Sequence, residues 1–373
     1  MFELNSTYLN AAYMGPTPQR AEQYVQDILK KTMDPSLTNF EVRMRLLEEI
    51  RADFAGLLNV SADNVAVSTS VSELVGHVVN GMSLRPGDNV IVMEGDYPSI
   101  VLPCMLAAEN LGIRLIRLPL QKFLDPAQLR EDIDERTRLV ACSHVMFNTG
   151  IRLPIEEIGK VVHEKGAMFL TDVSQSFGGM QIQPTTLEHV DILACVGYKW
   201  LLGPYGSAFG YFNDRALKEI RRTHATWTVS VNSANTENLL DYTLETLPGA
   251  RKFDRGETSS YLICAGLKGA LEVIKEKGLE KIETHNQALV HHFIEGLPKN
   301  YEVLSPPEFR SNIICVKPLR EDVQKLKQAL LAQNIQISVR EGAVRFSFHF
   351  YNTRTEVDDV LKCLGAFFWG GCV

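Results

Sequence analysis

The chain has 373 residues, 45% apolar and 22% charged, with a net charge of −7. That length exceeds one typical domain, and the interspersed acids and bases leave no basic footprint for nucleic acid. No run reaches the ~18 apolar residues of a membrane span. MFELNSTYLN (1–10) has neither the basic region nor the apolar core of a signal peptide, so a cytoplasmic location is expected.

From about residue 20 to 245, helical periodicity alternates with short β-rich runs. Arg43 to Leu58 reads as an amphipathic helix ending near Asn59. Asn64 to Ser68 reads as a strand and 71–82 as a helix. A strand at 89–93, a helix at 99–111 and a strand at 113–118 follow, with another helix after Asp125. Next come a strand at 139–142, a helix from Pro154 to Lys165, and strands at 167–171, 192–196 and 206–212. This alternation predicts a mostly parallel sheet covered by helices on both faces. The pattern changes near 248–258. Beyond it lie two long helices (261–277 and 278–297), then strands at 312–316 and 343–348 flanking a helix at 321–333. A large α/β domain over 15–250 is therefore expected. Residues 1–14 and 251–373 would form a smaller α+β domain with the N-terminal segment.

Two windows carry chemistry. Lys199 sits in VGYKWLLGP (196–204), after the apolar run 192–196 and before a Gly-Pro turn. It reads either as a helix-start lysine beside a core strand or as a desolvated amine. Desolvation lowers an amine's pKa and suits it to hold a carbonyl cofactor as a Schiff base. Asp172 ends the short strand in GAMFLTDVSQ (166–175). It reads either as a turn former or as an acid at the carboxyl edge of a sheet, where ligands bind. There it could keep a pyridinium nitrogen protonated.

The order and spacing of further segments resemble one known family. They are YLNAAYMGPTP (8–18), VAVSTSVSELV (65–75), EGDYPSIVLP (94–103), SHVMFNTGIRLPIEEI (143–158), FLTDVSQSFG (169–178), GYKWLLGPYG (197–206), FDRGETSS (253–260) and VRFSFHFYNTRTEVD (344–358). With Lys199 and Asp172 they look like the pyridoxal-phosphate (PLP) enzymes of fold type I, class V aminotransferase group. The nearest branch holds isopenicillin N epimerase-like and selenocysteine lyase or cysteine desulfurase-like proteins.

The resemblance implies roles residue by residue. Lys199 would bind PLP and Asp172 its ring nitrogen. Ser70, Val71 and Ser72 would offer a helix N-terminus to the phosphate, although this family usually has a Gly-Thr-Thr-Glu-like turn there. The alternative is an ordinary Ser N-cap. Tyr97 would stack on the ring, where relatives often have His. Gln175 would reach the phenolic oxygen, unless its amide is bonded to backbone, and Ser174 would lie beneath the ring. Asn148 would contact the phenolic oxygen only if a one-residue bulge intervenes, since counting from His144 places Phe147 there. Tyr198 would donate to the phosphate, while Val196 replaces a Ser contact. Thr258 would reach the phosphate of a neighbouring subunit, implying a homodimer with shared sites. Arg345 would clamp the substrate carboxylate, with Arg340 as a second substrate cation or gate.

The seven cysteines show no metal spacing, and no metal is expected. Cys142, Cys195 and Cys315 read as small core residues, and Cys372 as an exposed thiol. The stretch 338–344 before Arg345 has no Cys, where cysteine desulfurases carry a reactive one on a longer loop. The resemblance thus implies a PLP enzyme acting at the amino group or Cα of an amino acid, with amino transfer first. A Cys-independent lyase or an epimerase is the alternative, and a non-catalytic binding protein of the same fold is the alternative of another class.

Overall fold

The computed structural model describes residues 1–256 and 260–368. Its strands are β1 (Thr7–Tyr8), β2 (Val65–Ser68), β3 (Asn89–Met93), β4 (Arg114–Leu118), β5 (Thr137–Ser143), β6 (Met168–Asp172), β7 (Ile192–Val196) and β8 (Ala208–Phe212). There follow β9 (Tyr301–Val303), β10 (Ile313–Pro318), β11 (Ile335–Gln336), β12 (Ser338–Arg340) and β13 (Ala343–Ser347). The first four helices are α1 (Gln19–Met33), α2 (Phe40–Leu58), α3 (Val71–Gly81) and α4 (Pro98–Leu111).

Seven strands form the main sheet in the order β2-β8-β7-β6-β5-β3-β4, with β8 antiparallel to both its neighbours. Strands β2, β3, β6, β7 and β8 are buried along their whole length. Continuous apolar runs are what a sheet covered on both faces demands. One face packs Ile50 and Phe54 of α2 with Ile158 and Val162 of the helix Ile155–Glu164. The other packs Val71 and Leu74 of α3 with Ile100 and Cys104 of α4. Edge strand β4 exposes Arg114 and Arg117, charges that discourage further pairing. Asn59 ends α2 in the left-handed conformation at φ 57°, where a short polar side chain is tolerated.

The second sheet, β12-β13-β10-β9, is antiparallel and has its own core around Phe293, Ile314, Phe346 and Val360. The N-terminal segment joins it: β1 pairs with β11, and Ser347 N–H donates to Leu9 O at 2.9 Å. The same segment continues to the main sheet, where Gly15 N–H donates to Tyr198 O at 2.9 Å.

The structure adds elements that sequence periodicity missed. Leu120–Leu124 is a short helix between two prolines, and β9 and β12 are three-residue strands. None is long enough for a period to show. No helix among the described residues is long and apolar enough to cross a membrane.

Candidate active site

The strands running in one direction deliver the site at their carboxyl edge. There β2 leads into α3, β3 into the turn carrying Tyr97, β5 into Phe147, β6 ends at Asp172, and β7 precedes Lys199. This is where open α/β sheets bind ligands.

Lys199 is 5% exposed. Burial depresses its amine to about 8, against the opposing charge of Asp172 and helped by Arg345 and Arg340. Its turn is pinned on several sides. A Cβ at Gly15 would stand 2.2 Å from Lys199 O, so only glycine allows the N-terminal segment this approach. Gly178, at φ +101°, abuts Trp200 O in the same way. His349 Nε2 lies 3.0 Å from Trp200 O, linking this turn to the segment after β13.

Asp172 is 4% exposed, and its Oδ1 accepts from Ser174 N–H at 2.8 Å. Burial raises its carboxyl, while the Ser174 bonds and the Lys199 charge pull the other way. Ser174 Oγ accepts from Val196 N–H at 3.0 Å, which ties the turn after β6 to the end of β7.

Two cavities meet at Lys199. An inner one of about 150 Å³ is bounded by Ser70, Val71 and Ser72, with Asp172 and Ser174 deeper in. An outer one of about 230 Å³ is bounded by Arg345, Arg340, Tyr13 and Met14. Tyr97, Phe147, Gln175, Tyr198 and Tyr205 line both. Larger hollows exist, such as one of about 360 Å³ by Arg152, Glu157 and Glu283, but they hold no buried amine.

At the inner cavity Ser70 is the N-cap of α3, its Oγ accepting from Glu73 N–H at 3.3 Å. Glu73 turns back to Ser68 Oγ and Thr69 Oγ1 at 2.7 and 2.9 Å and pairs with Arg255. Such reciprocal capping leaves the first-turn N–H groups of Val71 and Ser72 directed at the helix entrance. The capping and phosphate readings of Ser70 are therefore compatible.

At the outer cavity Arg345 is 2% exposed. Its Nη1 donates to Phe147 O at 2.8 Å, but its Nε and Nη2 are buried without a partner. Burial and the neighbouring Arg340 lower its pKa to about 10. A buried guanidinium with two unused donors and no carboxylate partner among the described residues has the chemistry to receive an anion. Arg340 donates Nη1–H to Val339 O at 2.9 Å and lines the same cavity.

The structure corrects one placement. Phe147, not Asn148, lines both cavities, and the buried Oδ1 of Asn148 has no partner. Gln175 lies at the junction, but its Nε2 donates to Ala12 O at 3.1 Å and its Oε1 accepts from Trp200 Nε1 at 3.4 Å. One amide N–H of Gln175 is left for a ligand. Tyr198 leans on Tyr205 with centroids 4.4 Å apart, and burial raises its hydroxyl pKa. Thr258 and Cys372 lie outside the described residues. Sequence reading assigned no role to Thr69, Ser143, Tyr205 or Tyr13, although all four lie within the segments that carry the family resemblance.

The donors fit a planar phosphorylated pyridine aldehyde. An amine for the aldehyde, a carboxylate for the ring nitrogen, an aromatic face and a helix N-terminus for the phosphate bound one small chamber. Among the described residues no cluster of His, Cys, Asp or Glu could hold a metal ion.

Comparison with known proteins agrees. Residues 19–360 match the family described as aminotransferase class-V. The chain belongs to the class-V aminotransferase family. Among similar proteins of this class-V group, a probable cysteine desulfurase of Methanothermobacter thermautotrophicus is 27% identical, covering 94% of this chain and 92% of its own. The isopenicillin N epimerase of Streptomyces clavuligerus is 24% identical, covering 96% and 94%. In fold, the chain matches the cystine C-S lyase C-DES, solved with its product cysteine persulfide, at a TM-score of 0.88. Identity there is 23%, over 96% of this chain and 97% of the other. It matches the cysteine desulfurase of Thermococcus onnurineus at a TM-score of 0.84 and 21% identity, over 98% and 95%.

Proposed function

We propose that this class-V protein is a PLP enzyme that acts at the Cα of an amino acid. The observation that carries the reading is the place of Lys199. Its buried amine stands where a chamber suited to the cofactor meets a chamber whose arginine has two unpaired donors.

When bound, the cofactor supplies an electron sink for the bond broken at Cα. The chain's own residues do the rest. Asp172 holds a proton on the pyridine nitrogen, which its charge favours in this desolvated place. The first turn of α3 orients the phosphate through N–H groups and the Ser70 and Ser72 hydroxyls. Tyr97 would offer an aromatic face to the ring, and Tyr198 and Gln175 would offer further polar contacts. Arg345 grips the substrate carboxylate, and Arg340 offers a second cation near it. Lys199 would serve as the base or acid for the proton at Cα, its amine lowered by burial to about 8. Tyr13 and Tyr205 narrow the mouth against water.

Three outcomes fit this machinery, and one of them, epimerisation, returns the proton to the other face of Cα and releases no product fragment. Amino transfer releases a keto acid and requires a second acid to enter by the same mouth. Cleavage of a sulfur-bearing side chain requires only a leaving group. The isopenicillin N epimerase among the relatives favours epimerisation, and the probable cysteine desulfurase favours cleavage. The six described cysteines are all buried, and none lines either cavity. In that reading the sulfur therefore leaves on the product and not on an enzyme thiol. The absence of such a thiol among the described residues equally suits amino transfer, the outcome the sequence put first.

We also infer a homodimer. Leu102, Met105 and Leu106 form an exposed apolar stripe on α4, 58%, 46% and 56% exposed, which a second copy would cover. A division into a larger unit over 15–250 and a smaller one formed by the remainder, and a cytoplasmic location, belong to the same reading.

The test is a panel of amino acids given to the PLP-loaded protein, with keto acid, ammonia and sulfide measured separately. Ammonia with sulfide, and no need of an acceptor acid, selects cleavage. Product only when an acceptor acid is present selects amino transfer. No uptake of PLP by wild type overturns the proposal.

A further inference from the structure

We propose that Asp96 is a positioning residue of this site: its ionised carboxylate fixes Tyr97 and the end of β5, and it places a second buried negative charge beside Asp172. The inference rests on the cofactor reading above.

Asp96 is 7% exposed. Its Oδ1 accepts from Tyr97 N–H at 2.6 Å and from Ser143 Oγ–H at 2.6 Å, and its Oδ2 accepts from Ser143 N–H at 2.8 Å. One carboxylate thus ties the loop after β3 to the last residue of β5. That last residue, Ser143, is the register partner of Asp172 across β5 and β6, and it lines the inner cavity. Tyr97, whose backbone Asp96 holds, presents its ring to Lys199. Two elements that frame the cofactor chamber are therefore joined by a single side chain that does not itself line it.

The charge is not cancelled locally. All three donors to Asp96 are neutral, and no cation pairs with it among the described residues. The groups that face it are Asp172 on β6, Cys104 on α4 and Cys142 on β5. Both thiols are held neutral by burial. Burial lifts the Asp96 carboxyl to about 6, with Asp172 acting in the same direction and the Ser143 and Tyr97 donors opposing. At neutral pH it is mostly ionised. A buried anion near Asp172 favours protons on the groups around it, namely a pyridine nitrogen on Asp172 and the Lys199-linked nitrogen.

The experiment is a spectrophotometric pH titration of the visible band of the PLP-loaded protein, with cofactor affinity followed by fluorescence. Asp96→Asn keeps the shape and removes the charge. The band is expected to titrate about half a unit or more below the wild-type pH, and PLP to bind several-fold more weakly. Ser143→Ala keeps Asp96 but removes a donor, so the carboxyl holds its proton more readily. A smaller shift in the same direction is expected, which a merely structural bond would not give. Should Asp96→Asn fail to fold, Ser143→Ala decides alone. Variants that titrate where the wild type does overturn the proposal. A wild-type protein with no Lys199-dependent band would instead bring down the cofactor reading, and this inference with it.

Discussion

The Lys199 amine lies 5.1 Å from the centroid of the Tyr97 ring. The two residues follow different strands, β7 and β3, and meet only because both strands end at the same edge of the sheet. Tyr97 in turn meets Phe147 edge-on, with centroids 5.2 Å apart. The amine is therefore walled by aromatic faces and kept out of bulk water, and the first prediction follows from that.

Lys199→Ala is expected to fold, to lose the visible band of lysine-linked cofactor and to lose turnover. The cofactor-free protein gives an independent check by pH. Lys199 stands at about 8 in the folded chain, below the ordinary 10.5. Between those values the unfolded chain binds more protons than the folded one, so stability rises with pH through the window. Below it the burden is fully present. Substitution removes it, so the variant's Tm advantage over wild type should shrink as pH rises from 8 towards 10.5. A pH-independent difference would mean the amine is in water.

Asp172→Asn is expected to bind PLP and lose most activity, because a neutral amide cannot hold the ring nitrogen protonated. A barrier increase of several kcal/mol corresponds to ~10-fold per 1.4 kcal/mol. Single-turnover kinetics with the loaded variant provide the measurement. Near wild-type kcat would reduce Asp172 to the residue that caps the Ser174 turn.

Arg345→Ala is expected to raise KM sharply while PLP stays bound. Loss of a charge-assisted contact to a buried carboxylate costs on the order of 2–5 kcal/mol. An amino acid and its decarboxylated amine should be compared side by side, the amine being nearly indifferent to the change. Equal losses for both would assign Arg345 to holding Phe147 O and thereby the fold.

Single replacement of each cysteine by Ser or Ala is expected to leave turnover within a few-fold in every variant that folds. Burial pushes the Cys104, Cys264 and Cys315 thiols up to about 12, far from the thiolate form. Abolished activity in a folded variant would restore a thiol relay.

Much of the fold was legible locally. The strands at 89–93 and 192–196 have the bounds read from the sequence, because a strand buried on both faces shows as a nearly unbroken apolar run. The end of α2 at Asn59 was equally clear, since a residue that tolerates the left-handed conformation follows the last apolar turn. Lys199, Asp172 and Arg345 stood out for the same reason: each is a charge attached to a run that must be buried.

What the tertiary structure decided is which side chains share a space. Whether Phe147 or Asn148 faces the cavity depends on how the turn after β5 folds, and spacing along the chain leaves both open. Arg340 and Arg345 reach one cavity because Glu341 and Gly342, at φ 44° and 77°, reverse the chain between β12 and β13. Nothing in the sequence around Asp96 marks it as buried. It is buried because β3 and β5 are neighbours and Ser143 supplies its donors. Local sequence sets which segments must leave water. The charges and donors that meet across strands are set only by the order in which those strands pack.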